Sequence, residues 1–173
     1  MGQLLAKISQ LLSRIGARIV MVGLGAAGQT TVLFKLKLND VVATIPTIGF
    51  SVRRAECKNL KMTIWDIGGQ DRLRPLWRHY YEGTDGVNFV VDSCDKQRMP
   101  TARAEIEKMM AEPVPGCAKL CVFANKQDMP NALPGTELAD LLGLRNIKAE
   151  RHPQPTSATT GGTGLDWPAG RLK

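Results

Sequence analysis

The chain has 173 residues and a formal net charge of +7, with 43% hydrophobic and 23% charged residues. These values predict one compact domain with a substantial core, and the basic balance suits an anionic partner such as a membrane surface or a nucleic acid. No apolar run approaches the roughly 20 residues that cross a bilayer, and the first residues lack the apolar region of a secretory signal. The four cysteines, at positions 57, 94, 117 and 121, have no metal-binding spacing, so we expect reduced thiols in the cytosol.

The hydrophobic pattern along the chain alternates between helical and extended segments. Residues 4–15 carry Leu and Ile at helical spacing and predict an amphipathic helix that precedes the first strand. Strands are predicted at 18–22, 50–57, 60–65, 86–91 and 120–124, and helices at 30–38, 72–81, 101–112 and 136–142. The last of these helices would take its N-cap from Thr136 or a residue near it. The alternation predicts an α/β fold with a six-stranded, mostly parallel sheet and helices on both faces.

The C-terminal segment fits this pattern poorly. Pro153 and Pro155 stand where a last strand should run, and proline cannot donate a hydrogen bond to a sheet ladder. A final helix over 164–173 would be interrupted by Pro168 and Gly170. We therefore expect the C-terminal elements to be weak.

Residues 23–30 read Gly-Leu-Gly-Ala-Ala-Gly-Gln-Thr, which matches the phosphate-loop pattern G-x-x-x-x-G-K-[ST] except at Gln29, where the pattern has Lys. The glycines let backbone N–H groups point at phosphate oxygens, and the helix that follows adds its positive end. Thr30 offers a hydroxyl to Mg²⁺. We assign nucleotide binding in this segment to Gly23, Gly25, Ala26, Ala27, Gly28, Gln29, Thr30 and Thr31.

A second motif follows the strand at 60–65. Asp66 lies where a carboxylate at a strand end could hold Mg²⁺ directly or through water, and Gly69 lets the backbone approach a γ-phosphate. Gln70 could orient an attacking water, which makes it the candidate catalytic residue. A simple Asp-Gly turn is the alternative, and the preceding phosphate loop argues against it. In the loop before residue 50, Thr47 could ligate Mg²⁺ only when a γ-phosphate is present, which would make that loop a switch.

A third motif, Asn125-Lys126-Gln127-Asp128, ends the strand at 120–124. The Asp128 carboxylate can accept two N–H bonds from the guanine edge, which adenine does not offer. The aliphatic part of Lys126 can cover the base, and Asn125 can tie the loops together. In the segment Ser157-Ala158, a backbone N–H would reach the guanine oxygen, although a plain loop is an open alternative there.

Together these residues resemble the ADP-ribosylation factor family of small GTPases from Met1 to about Thr160. The most specific stretches are 45–50, 65–71, 74–81 and 123–128. The resemblance implies a P-loop NTPase G domain over 17–173 and an amphipathic membrane-binding helix over 1–16. It also implies a GDP/GTP switch with Mg²⁺ that acts in vesicle-mediated traffic. Such a switch is cytoplasmic and associates reversibly with Golgi, endosomal or plasma membranes.

The resemblance also implies partners. Phe50, Trp65 and Tyr80 match the family's exposed aromatic effector triad, although core packing is the ordinary interpretation of an aromatic residue. Gly2 matches a myristoylated glycine, but Ala6 departs from the usual M-G-x-x-x-[ST] pattern. The expected partners are a membrane surface, an exchange factor, a GTPase-activating protein and coat or effector proteins. We expect no nucleic-acid partner, since no base-stacking aromatics alternate with the basic residues.

Three departures from the family qualify this interpretation. Gln29 replaces a Lys whose charge contacts the β- and γ-phosphates, and a hydrogen bond to a charged group contributes about 1.5–3 kcal/mol. Its loss would weaken nucleotide binding about ten- to hundredfold and slow hydrolysis. Gly25 stands where the family has Asp, and Pro153 and Pro155 replace an apolar strand. A working switch with slow hydrolysis and a pseudo-GTPase interaction module both remain compatible with the sequence.

Overall fold

The computed structural model describes residues 16–38, 48–57, 60–111, 119–146 and 153–155. The amphipathic helix expected at 4–15 and the helix expected at 164–173 lie outside these residues, as do Gly2, Thr47, Ser157 and Ala158. None of the helices in the described part of the chain combines the length and the apolar composition that crossing a bilayer requires.

Six strands and three α-helices make up the described fold. The strands are β1 (Gly16–Gly23), β2 (Phe50–Cys57), β3 (Leu60–Ile67), β4 (Gly86–Asp92), β5 (Lys119–Asn125) and β6 (Pro153–Pro155). The α-helices are α1 (Gln29–Leu38), α2 (Met99–Ala111) and α3 (Gly135–Leu141). Short 3₁₀ helices span Arg74–Tyr80, Lys96–Arg98 and Leu144–Asn146.

The strands form one sheet in the order β2-β3-β1-β4-β5-β6. Only the pairing of β2 with β3 is antiparallel, and the other four pairings are parallel. The predicted six-stranded, mostly parallel sheet is therefore confirmed. The two prolines do not prevent the last pairing, because β6 lies at an edge of the sheet, where proline is tolerated, and extends over three residues.

The core lies on both faces of the central strands, as expected for a parallel sheet covered by helices. Every residue of β4 from Gly86 to Val91 is buried, including Asn88. On one face, Val20 and Val22 pack in a cluster with side chains of α2 such as Ile106. On α2 the buried residues recur at helical spacing and comprise Met99, Ala102, Ile106 and Met109. This spacing explains why the segment is helical and how it is anchored.

The structure refines two local predictions. The helix predicted at 72–81 is a 3₁₀ helix over Arg74–Tyr80, with a proline in its first turn. Its amides bond three residues back, as in the bond from Tyr81 to the Arg78 carbonyl at 3.3 Å, so the segment winds more tightly than an α-helix. The helix predicted at 136–142 begins at Gly135 instead, with Pro134 at the N-cap position. The N-cap position therefore lies near Thr136, as predicted, but no side chain caps this helix.

Candidate nucleotide-binding site

The loops that follow β1, β3, β4 and β5 meet at one edge of the sheet, because these strands are parallel. The register places Met21 beside Asp66 and Asp92 beside Asn125. Ligands of open α/β sheets bind at this edge, where successive strands lie on opposite sides of a central one. Here β1 is that central strand, with β3 on one side and β4 on the other.

Residues 23–28 form the loop between β1 and α1. Ala26 and Gly28 have φ angles of 65° and 92°, a region that residues other than glycine rarely adopt. The amide of Ala27 donates to the Leu24 carbonyl at 3.1 Å and closes the turn. Because α1 begins at the next residue, the positive end of its dipole faces this loop, as anion binding requires.

Gln29 turns its side chain back into the loop and is only 7% exposed. Its Nε2 donates to the Gly23 carbonyl at 2.8 Å and to the Leu24 carbonyl at 3.4 Å. The amide therefore bridges the two ends of the loop while carrying no charge. A lysine at this position could make the same bridge and add a positive charge beside a phosphate.

Thr30 and Asp66 place two oxygen atoms side by side at the mouth of the loop. The Thr30 hydroxyl donates to Oδ2 of Asp66 at 2.7 Å, and Asp66 is 1% exposed. A hydroxyl and a carboxylate are the hard oxygen ligands that Mg²⁺ prefers, so this pair fits the ion. The described residues contain no group of three or more His, Cys, Asp or Glu side chains that could hold a metal alone. Magnesium is typically held by one or two protein ligands together with substrate phosphates and water.

Gly69 lies against the phosphate loop. A Cβ at Gly69 would come within 2.2 Å of the Gly23 carbonyl oxygen and 2.7 Å of the Gly25 nitrogen. Only glycine allows the backbone to come this near. The next residue, Gln70, follows Gly69 directly and is exposed.

Trp77 connects the 3₁₀ helix to the same segment. Its Nε1 donates to the Gly68 carbonyl at 3.2 Å, and the side chain is 2% exposed. The ring packs edge-on against Phe89, with 6.1 Å between ring centroids. The backbone that carries Gly69 is thus tied to the core from the side opposite the phosphate loop.

Asn125 joins the third motif to the phosphate loop. Its Nδ2 donates to the Ala27 carbonyl at 2.9 Å, and the residue is 1% exposed. A Cβ at Gly28 would lie 2.5 Å from that same Nδ2, and the φ of 92° also favours glycine where the two loops meet. This is the linking role expected of Asn125 from the sequence.

The rest of the third motif is arranged around Asp92. The Nζ of Lys126 contacts Oδ2 of Asp92 at 2.6 Å, and Lys126 has a φ of 66°. Gln127 donates from Nε2 to Oγ of Ser93 at 2.8 Å. Asp128 is exposed at the end of the motif. The pairing of Lys126 with Asp92 was not predicted.

Arg98 is the contact residue that the sequence analysis missed. Its Nη1 donates to the Gly25 carbonyl at 2.8 Å, across 73 residues of chain. Asp95 holds Arg98 in two ways, by an ion pair with its Nε and by accepting its backbone amide at 3.2 Å. The only local signal in the sequence is that Asp95 precedes Arg98 by three residues. This spacing predicts the turn but not the contact of Arg98 with the phosphate loop.

The three aromatic residues Phe50, Trp65 and Tyr80 form one cluster. Their ring centroids are 5.5 to 5.8 Å apart, and Phe50 is 49% exposed. Trp65 and Tyr80 also pack against the core, so both interpretations of these aromatics apply in part. The Arg18 guanidinium lies 4.8 Å from the Trp65 ring centroid and was not predicted.

The comparisons with known proteins agree with this geometry. The family model described as the ADP-ribosylation factor family matches residues 2–171. The chain is also similar to the solved Arl6 BBS3 small GTPase from Trypanosoma brucei, a structure with the bound nucleotide analogue GppNp. That match has 28% sequence identity and a TM-score of 0.80, and it covers 92% of this chain and 100% of the other. A G-domain fold, a phosphate loop with two companion motifs and a family match over nearly the whole length lead to one assignment: the chain belongs to the ADP-ribosylation factor family of small GTPases.

Proposed function

We propose that this protein is a guanine-nucleotide switch that cycles between GDP and GTP with Mg²⁺. The observation that carries the proposal is the hydrogen bond of 2.7 Å between Thr30 and Asp66 at the mouth of the phosphate loop. It brings a hydroxyl and a carboxylate together where the magnesium ion of a bound nucleotide would lie. Asp128 would select guanine, and Gln70 would orient the attacking water.

The switch hydrolyses GTP slowly and holds phosphate weakly. Gln29 bridges the Gly23 and Leu24 carbonyls but places no charge against the β- and γ-phosphates. Charge on the transferring phosphoryl group is then stabilised less well, and the γ-phosphate is affected most because it carries the most charge. A GTPase-activating partner would supply an arginine finger in trans.

The switch acts at membranes in vesicle traffic. In this proposal the segment 1–16 provides an amphipathic helix, and acylation of Gly2 adds a second anchor, since one myristoyl chain alone binds weakly. The net charge of +7 favours an anionic lipid surface. Ile48, Phe50 and Leu76 are 88%, 49% and 45% exposed and offer an apolar face to a coat or effector protein. The protein would be cytoplasmic and would associate reversibly with Golgi, endosomal or plasma membranes.

A second candidate function is a pseudo-GTPase module that binds nucleotide weakly or not at all. Its support is the buried, uncharged amide of Gln29, which donates to two loop carbonyls where the phosphate-loop pattern has a lysine. Such a protein would present the aromatic cluster around Phe50 as a fixed binding surface. The two candidate functions differ in whether the phosphates of a bound nucleotide stabilise the folded protein.

The deciding experiment is a titration of the purified chain with fluorescent GDP and a non-hydrolysable GTP analogue in Mg²⁺, beside the Gln29→Lys variant. The switch proposal expects measurable binding of both nucleotides, strengthened about ten- to hundredfold by Gln29→Lys, most for the GTP analogue. Equally tight binding by both proteins would contradict weakened phosphate contacts. Absence of binding in both would favour the interaction module.

A further inference from the structure

The geometry points to Arg98 as the cation that positions and polarises the phosphate loop in this chain, in place of the lysine that Gln29 replaces. This inference rests on the proposed nucleotide binding. Arg98 is a positioning residue here, since it contacts the loop from outside and not the phosphate itself.

The first step of the argument is the direction of one peptide group. Arg98 donates from Nη1 to the Gly25 carbonyl at 2.8 Å. The described chain has no cis peptide bond, so the carbonyl of Gly25 and the amide of Ala26 point in opposite directions. With its carbonyl held by Arg98, the peptide directs the Ala26 N–H away from Arg98, and in the proposed binding mode this N–H would be offered to a phosphate.

The second step is the cost of that orientation. Ala26 has a φ of 65°, which is unfavourable for a residue with a Cβ. A charged hydrogen bond to the preceding carbonyl offsets this cost and keeps the peptide from rotating. It also polarises the amide, because hydrogen bonds in a chain strengthen one another.

The third step is the rigidity of the cation. Arg98 contacts Asp95 through Nε and donates its backbone amide to Oδ1 of Asp95 at 3.2 Å. The guanidinium therefore reaches the loop from a fixed turn between β4 and α2, with its side chain 40% exposed. Asp95 reduces the net charge but fixes the direction in which Arg98 donates.

Together, Gln29 and Arg98 provide the two contributions that a lysine at position 29 would make alone, namely a bridge between loop carbonyls and a positive charge. Gln29 bridges the carbonyls of Gly23 and Leu24 from within, and Arg98 brings a positive charge from outside. A positive charge placed behind the loop attracts phosphate more strongly as the number of phosphate charges increases. Arg98 should therefore matter little for guanosine, more for GDP and most for a GTP analogue.

The test is calorimetric titration of guanosine, GDP and a non-hydrolysable GTP analogue into the full chain and its variants Arg98→Gln and Arg98→Lys. We expect Arg98→Gln to weaken GDP binding about three- to tenfold and the GTP analogue more, with Arg98→Lys retaining most of the affinity. The control is Arg103→Gln, which removes a similar arginine whose Nε contacts Glu107 at 2.7 Å on the surface of α2.

A merely structural role gives a different pattern. If Arg98→Gln weakens guanosine, GDP and the GTP analogue equally, or if Arg98→Lys is as damaging as Arg98→Gln, the inference is overturned. In the Gln29→Lys background the effect of Arg98→Gln should shrink, because the loop then has its own charge. If Arg98→Gln weakens nucleotide binding as much in the Gln29→Lys background as in the native chain, the inference is also overturned. If the native chain binds no nucleotide, the proposed function fails together with the inference, whereas nucleotide binding unaffected by Arg98→Gln removes only the inference.

Discussion

Thr30 and Asp66 are 36 residues apart in the chain, yet the hydroxyl of the first donates to the carboxylate of the second at 2.7 Å. The contact joins the first turn of α1 to the end of β3, which pairs in parallel with β1. Sheet register thus brings a hydroxyl from the start of α1 and a strand-end carboxylate to one point.

Replacing Asp66 by Asn should lower the Mg²⁺ affinity of the nucleotide complex about ten- to hundredfold, because a charged oxygen ligand becomes neutral. The measurement is the rate of fluorescent GDP release as a function of free Mg²⁺. The matched control is Asp71→Asn, which changes an acid that pairs with Arg74 on the surface and is 87% exposed. An unchanged Mg²⁺ dependence in Asp66→Asn would remove Asp66 from the site.

Gly69→Ala should lower the free energy of unfolding by about 1–3 kcal/mol, because the new Cβ meets backbone atoms that cannot move aside. The nearest of these, the Gly23 carbonyl oxygen, would be 2.2 Å away. Urea denaturation measures the change. Gly25→Ala is the matched control, since its Cβ would meet nothing nearer than 3.7 Å. Equal stability of the two variants would show that Gly69 does not lie this near the loop.

Trp77→Phe should destabilise the fold by about 1–3 kcal/mol, because it leaves the Gly68 carbonyl without its buried donor. The ring stays apolar and can keep packing against Phe89, so most of the cost comes from the lost hydrogen bond. Denaturant unfolding gives the stability. Nucleotide titration should show a larger loss for the GTP analogue than for GDP, because in the proposed switch the backbone that follows Gly68 would approach a γ-phosphate. Equal losses for the two nucleotides would contradict this coupling.

The thiols of Cys94 and Cys121 should differ in reactivity. Burial, followed by the negative charge of Asp92, raises the pKa of the Cys94 thiol, and burial alone raises the pKa of the Cys121 thiol. A raised pKa lowers the thiolate fraction at a given pH, so alkylation of Cys94 should keep accelerating above about pH 8.5, the ordinary thiol pKa. Cys121, which is 1% exposed, should stay unmodified in the folded protein.

Iodoacetamide labelling followed by peptide mass spectrometry measures both rates separately. The Cys94 sulfur lies 3.9 Å from the Lys126 carbonyl, so bound GDP should slow its alkylation. A Cys94 rate that levels off below pH 8 would contradict the raised pKa. If GDP leaves the alkylation rate of Cys94 unchanged, the guanine base does not bind beside Cys94.

Local sequence patterns predicted most of the helices and strands of this fold. They did not predict most of the contacts between segments that are distant in sequence. The strands at 50–57 and 86–91 were found because apolar runs bounded by turn residues depend only on neighbouring positions. The helix predicted at 72–81 is present over Arg74–Tyr80, but its 3₁₀ type was not predicted, because sequence pattern alone does not distinguish a 3₁₀ winding from an α-helix.

In the candidate site too, local motifs were predicted and long-range contacts were not. Motif spacing predicted that Gln29 and Asp66 belong to one loop cluster. It could not predict that Lys126 pairs with Asp92 or that Arg98 reaches the Gly25 carbonyl, because both contacts depend on the order of strands in the sheet. Such contacts join residues that have no fixed separation in sequence, so a sequence pattern does not predict them.

The composition of β6 determines how this edge of the sheet meets other molecules. Among its three residues only Gln154 has a backbone N–H, since Pro153 and Pro155 have none. Whichever way Gln154 points, the strand can offer at most one donor to a further strand. An edge so poor in donors is a bad template for pairing with another chain, which is how many proteins avoid edge-to-edge aggregation.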